Sequence, residues 1–142
     1  MRTYVGKEYG RFMILHLGKG EGVLESIQQE ITRLGIRNGV VVSGIGSARK
    51  IVYHRIADVE DSPTNEFISK EDPIEIGSIQ GLIINGEPHL HIMFSCKEES
   101  FAGHLEPGCE VQYLAEVMIL EMADVDLIRR LDEFGISYID KR

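Results

Sequence analysis

The chain has 142 residues, 43% of them hydrophobic, and carries 23 acidic against 15 basic side chains for a formal net charge of -8. That length fits one domain, residues 1–142, able to bury a core without disulfides or a structural metal. The charge argues against a general attraction to nucleic acid, whose binders neutralise phosphates with clustered Lys and Arg.

No apolar run approaches the ~18 residues of a membrane span, and no basic, apolar leader opens the sequence, so a soluble cytoplasmic protein is expected. Cys96 and Cys109 stand alone, supporting neither a redox pair nor a thiolate zinc site, and are expected as reduced core residues.

In chain order, residues 11–17 are rich in strand formers and are broken by glycines at 18, 20 and 22. From Val23 the period changes. Val23, Leu24, Ile27, Ile31 and Leu34 share one helical face, with Arg33 in the last turn and Gly35 as a left-handed stop. Residues 39–43 read as a buried strand and 50–57 as another, with the acidic stretch 58–65 as an exposed loop. Strand signals return over 67–76 and 78–84. Asn85 and Gly86 then supply a hairpin turn, and a last long strand is predicted from Val111 to about Leu120. Residues 124–135 fit a helix capped by Asp124, with Leu127, Ile128 and Leu131 on one face, and equally a strand and turn. The sum is an α+β domain, a compact, largely antiparallel barrel-like β-sheet with one main amphipathic helix.

The chemistry concentrates in residues 88–96. A strand's period of two puts His89, His91, Met93 and Ser95 on one face and Leu90, Ile92, Phe94 and Cys96 on a core face. Two imidazoles ~7 Å apart at the backbone suit two ligands of one metal. His104 is the nearby candidate for a third, with Gly103 beside it to let the backbone approach. Three neutral imidazoles favour zinc or another late divalent ion and leave a fourth position open, with Glu116 as a conceivable proton acceptor or partner of the ligands. The competing reading is of hydrogen-bonded polar residues at a barrel mouth or subunit interface.

Other features carry less chemistry. His16 and His54, single in their strands, read as structural. Residues 43–47 follow a strand as a phosphate-binding turn would, but Arg49 stands in place of the third glycine and another strand follows. The glycines at 18, 20 and 22 lack the Lys-Ser or Lys-Thr end of a nucleotide loop and read as a strand-to-helix turn. Arg49, Lys50 and Arg55, and the pair Arg129 and Arg130, read as solvated surface. No nucleophile elbow supports covalent catalysis.

Taken in order, Gly44-Ile-Gly-Ser47, Ile76-Gly-Ser-Ile-Gln-Gly81, Pro88-His-Leu-His91, Gly103-His-Leu105 and Ala115-Glu-Val117 resemble the PPC domain shared by plants and prokaryotes. The likeness covers nearly the whole chain and is most specific over residues 76–117; Ala102 departs from a glycine found in many members. The resemblance implies a barrel-like sheet with a packed helix, assembly as a homotrimer, and a zinc-type ion on His89, His91 and His104. Such a site would bind a small-molecule ligand or support hydrolytic or lyase-like chemistry. Family members are frequently labelled DNA-binding because plant members join the domain to an AT-hook, an Arg-Gly-Arg-Pro type segment that this sequence lacks. The alternative, a DNA-binding or transcription-associated regulatory protein, is disfavoured by that lack and by the charge.

Overall fold

Apolar and polar side chains alternate straight through several positions where glycines would ordinarily end a strand, and the strands are correspondingly long. The computed structural model describes residues 1–97 and 99–142. In chain order these form β1 (Tyr9–Gly18), α1 (Val23–Leu34), β2 (Asn38–Ile56), β3 (Asn65–Ile84), β4 (Glu87–Cys96), β5 (Glu99–Leu105), β6 (Glu110–Met122), β7 (Leu127–Leu131) and β8 (Ser137–Lys141). The first six strands make one antiparallel sheet in the order β1-β6-β2-β3-β4-β5, and β7 pairs with β8 as a separate hairpin.

The two strands predicted over 39–43 and 50–57 are one 19-residue strand, β2. Gly44 does not turn the chain. It makes room for Ile79, whose Cβ would lie 2.6 Å from any Cβ added there. Register shifts between Val41 and Ser43 and between Gly46 and Ala48 bend β2 where a turn was not needed. β3 likewise runs through Gly77, with a register shift between Ile76 and Ser78.

The helix follows its sequence pattern. Val23, Ile27 and Ile31 are buried, and Gly35 ends it at φ 66° while Ile36 N–H donates to Ile31 O at 3.0 Å, a Schellman stop. The glycine segment before it is a strand-to-helix turn whose amides are spent on the sheet: Gly20 N–H donates to Val111 O at 2.9 Å and Val23 N–H to Cys109 O at 3.0 Å. The C-terminal segment resolves to strand and turn. Asp132 Oδ1 accepts from Phe134 and Ile136 N–H, Gly135 takes φ 78°, and Ser137–Lys141 supplies the ladder partner that makes β7 a strand.

The sheet closes on itself. β5 pairs with β4 along its length and also with β2 through Tyr53↔Leu105 and His54↔His104, so β2, β3, β4 and β5 form a ring. Gly103 permits that closure, since a Cβ there would meet His54 O at 2.6 Å. Inside the ring, Leu90, Ile92, Phe94 and Cys96 are buried with Ile51, Tyr53 and Ile79, and Tyr53 meets Phe94 edge-on at 5.3 Å. Among the described residues no helix is long and apolar enough to cross a membrane.

Both cysteines are free and buried. The Cys109 thiol donates to Val52 O at 3.2 Å, and burial pushes its pKa up to about 11. A thiol so placed stays protonated at pH 8, and the thiolate is the reactive form. Ellman's reagent is therefore expected to find no fast thiol in the native protein and two per chain in denaturant; a fast stoichiometric reaction without denaturant would contradict this packing.

Candidate metal centre

Strand alternation in β4 turns Leu90 and Ile92 into the core and puts Glu87, His89 and His91 on the opposite face. The β4–β5 ladder sets His91 directly across from His104. The three imidazoles predicted from sequence therefore converge: ring centroids are 5.7 Å apart for His89 and His91, 4.6 Å for His89 and His104, and 5.8 Å for His91 and His104. Ring closure adds a fourth. His54 of β2 stacks on His104 at 4.4 Å with planes 19° apart.

Glu106, two residues past His104, reaches both stacked rings. Its Oε1 is 2.6 Å from His54 Nδ1 and 3.3 Å from His104 Nδ1. Only the first contact has hydrogen-bond geometry, which leaves His104 Nδ1 buried without a hydrogen-bond partner.

Three imidazoles held tetrahedrally at zinc–nitrogen distances of about 2 Å would have centroids roughly 5 Å apart. The distances around His89, His91 and His104 bracket that value. The His89 and His91 rings lie within 20° of parallel, so binding requires them to turn about their broad χ2 torsions. A tighter set also exists, because donor atoms of His54, His104 and Glu106 all fall within 4.8 Å of one another. The His54 and His104 planes are as parallel as those of His89 and His91, so either set requires a ring to turn; in the three-imidazole set His54 and Glu106 stand behind His104.

Electrostatics disfavour the charged form of His89 and His104. Burial, then the Arg129 charge, then the neighbouring imidazoles hold His89 down to about 4. Burial and then His54 lower His104, with Glu106 opposing. His89 is thus a neutral imidazole at neutral pH, the state that binds metal.

Glu116 is placed elsewhere. It stands in β6 across from His16 and Ile45, with Oε1 3.6 Å from His16 Nδ1, and is not brought to the imidazoles. The carboxylate beside the cluster is Glu106, which sequence reasoning missed although its spacing of two from His104 put it on the same face of an extended chain. His54 was also missed, and only the β2–β5 pairing reveals it. The basic residues noted in the sequence are largely paired with acids: Arg49 with Glu110, Arg55 with Glu66 at 2.7 Å, and Arg130 with Asp140 at 3.3 Å.

The fold recurs in solved structures. A plant- and prokaryote-conserved (PPC) protein of Pyrococcus horikoshii is 26% identical, with a TM-score of 0.80 over 100% of this chain and 99% of that one. The metal-containing protein AF0104 of Archaeoglobus fulgidus is 24% identical, with a TM-score of 0.79 over 95% of each chain. Structures from Bacteroides thetaiotaomicron and Ralstonia eutropha carry a provisional DNA-binding label. Among curated proteins, the bifunctional protein GlmU of Synechococcus sp. (strain JA-2-3B'a(2-13)) is 26% identical over 113 residues, which is 76% of this chain and 17% of that protein. The chain spans less than a fifth of that relative's length. The ring-closed sheet and the ordered Gly, His-x-His and Gly-His motifs agree with a family profile that matches residues 4–123, and the chain belongs to the Plants and Prokaryotes Conserved (PCC) domain family.

Proposed function

We propose that this protein is a homotrimeric metal-binding protein in which His89, His91 and His104 hold a late divalent ion, zinc by the donor set, and present it to a small ligand. The observation that carries the reading is the convergence of three imidazoles from β4 and β5 with a carboxylate behind one of them. When bound, the ion supplies Lewis acidity at its one open position, which suits hydrolytic or lyase-like chemistry. The chain's own contribution is orientation. The His54 ring backs His104, and Glu106 Oε1 stands 3.3 Å from His104 Nδ1, so a small turn of either side chain lets the carboxylate accept the Nδ1–H and leave Nε2 for the ion. A DNA-binding role draws no support from the paired arginines or from the net charge of -8.

The test is elemental analysis of untagged protein beside a variant with His89, His91 and His104 all replaced by Ala. About one ion per chain is expected in the wild type, and none in a variant whose circular dichroism is unchanged. A wild type that takes up no zinc from supplemented medium sinks the reading.

Trimerisation is supported by family membership and by one face of the sheet. Ile14 of β1, Ile45 of β2 and Leu114 of β6 lie exposed on the outer side of three neighbouring strands, Ile14 at 71%, and β1 is a free edge. Native mass is expected at three times 16.0 kDa, falling to a single chain in an Ile14→Glu, Ile45→Glu variant. A monomeric wild type at micromolar concentration would rule the assembly out.

A further inference from the structure

Arg129 lies in β7, beyond the last residue matched by the family profile. The hairpin that carries it is fixed in place. Leu127 is buried, Tyr4 Oη donates to the backbone of Ile139 at 2.7 Å, and Ile139 is the residue paired with Arg129. Arg2 also sits over the Tyr138 ring at 3.8 Å. Arg129 is thus presented from a pinned strand rather than a loose tail.

Its surroundings are unusual for an arginine. The side chain is half-buried, its Nε–H has no acceptor, and among the described residues it makes no ion pair, whereas Arg130 next to it is held by Asp140. The foot of the hairpin is tied to the β3–β4 turn, since Asn38 Nδ2 donates to Val125 O at 3.0 Å and Arg142, bonded to Asp126, donates to Asn85 Oδ1. This sets β7 beside the start of β4, where the guanidinium charge acts on Glu87 and His89, successive outer-face residues. A buried donor without an acceptor is costly, and such a group marks a place where a partner belongs.

We propose that Arg129 and the three-imidazole centre form one site for a small oxyanion, a carboxylate or a phosphate group, with one oxygen at the open metal position and another accepting from the guanidinium. This rests on the metal-centre reading above. The guanidinium's planar fork matches either anion. Charge balance favours the carboxylate. A divalent ion and Arg129 are opposed by the carboxylates of Glu87 and Glu106, which leaves a formal surplus of about one positive charge, matched by a monoanion. Arg129 is on this account a specificity residue for the ligand, contributed by the segment that follows the family domain.

The experiment uses the untagged full chain loaded with cobalt(II), whose absorption band reports its coordination, titrated with acetate and separately with inorganic phosphate. Wild type, Arg129→Gln and Arg129→Lys are compared, with cobalt content measured on the same samples. The wild-type band should shift saturably with acetate. Arg129→Gln should bind acetate about tenfold more weakly or worse at unchanged cobalt content, and Arg129→Lys should fall between. Tighter phosphate than acetate keeps the oxyanion site and assigns it to phosphate. Equal acetate affinity in Arg129→Gln, or a wild-type band that neither anion moves, overturns the proposal while leaving the metal centre standing. Failure to load cobalt overturns the metal centre itself, and this site with it.

Discussion

His104→Ala is expected to abolish metal binding while leaving the chain folded, because His104 belongs to both groupings of donors around the cluster. Its ring lies 4.6 Å and 5.8 Å from those of His89 and His91, and it also stacks on His54 over Glu106. The single variants divide the two groupings. If the ion sits on three imidazoles, His89→Ala and His91→Ala lose it, His54→Ala keeps it, and Glu106→Gln weakens it about 10- to 100-fold by removing the carboxylate charge 3.3 Å from His104 Nδ1. Zinc affinity measured against a competing chelator gives the answer. Retention in His89→Ala and His91→Ala together with loss in His54→Ala would move the ion to the His54, His104 and Glu106 set.

Gly81→Ala should be the most damaging single-methyl change in the sheet. Gly81 takes φ 150°, which L side chains rarely adopt, and an added Cβ would run into the carbonyl oxygen of His89 and lie 3.0 Å from Leu90 Cα. Both obstacles are backbone, so neither can rotate aside. A loss of about 3 kcal/mol or more is expected, from strain and clash together. Urea unfolding reads the loss directly, and a variant within about 0.5 kcal/mol of wild type, the range of an ordinary surface substitution, would mean that β3 and β4 do not approach so closely. Because the obstructed carbonyl belongs to His89, relaxation there should also displace a ligand, coupling a stability defect to weaker metal binding.

Much of this was written locally in the chain. Period-two alternation in 88–96 separated the histidine face from the core face, and Leu90, Ile92, Phe94 and Cys96 are buried as that pattern requires. The helix, its Gly35 stop and the turn at Asn85 and Gly86 follow equally from short-range rules. What could not be read depends on contacts between distant segments. Gly44 carries the same local signal whether it turns a chain or accommodates Ile79, and only packing decides between them. His54 sits 50 residues from His104 in sequence, and no periodicity announces that their strands will pair. Glu116 reads as a conceivable proton acceptor or partner of the imidazoles, yet its strand runs beside β1 and the central part of β2, whereas Glu106 lies two residues past His104. Residues 124–135 had two acceptable periods, and the ladder partner at 137–141 selected one.

The closure of the ring has a dynamic side. β5 meets β2 through two residue pairs, against six along its other edge with β4, and one of those two pairs is His54 with His104. A sheet opens most readily where its ladder is shortest. Each brief parting of that seam would pull His104 away from the His54 ring that backs it. The residence time of anything held by His104 is then bounded by how often the seam breathes. An occupant that ties β5 to β4 would in turn slow that breathing, so the ring and its cargo share one lifetime.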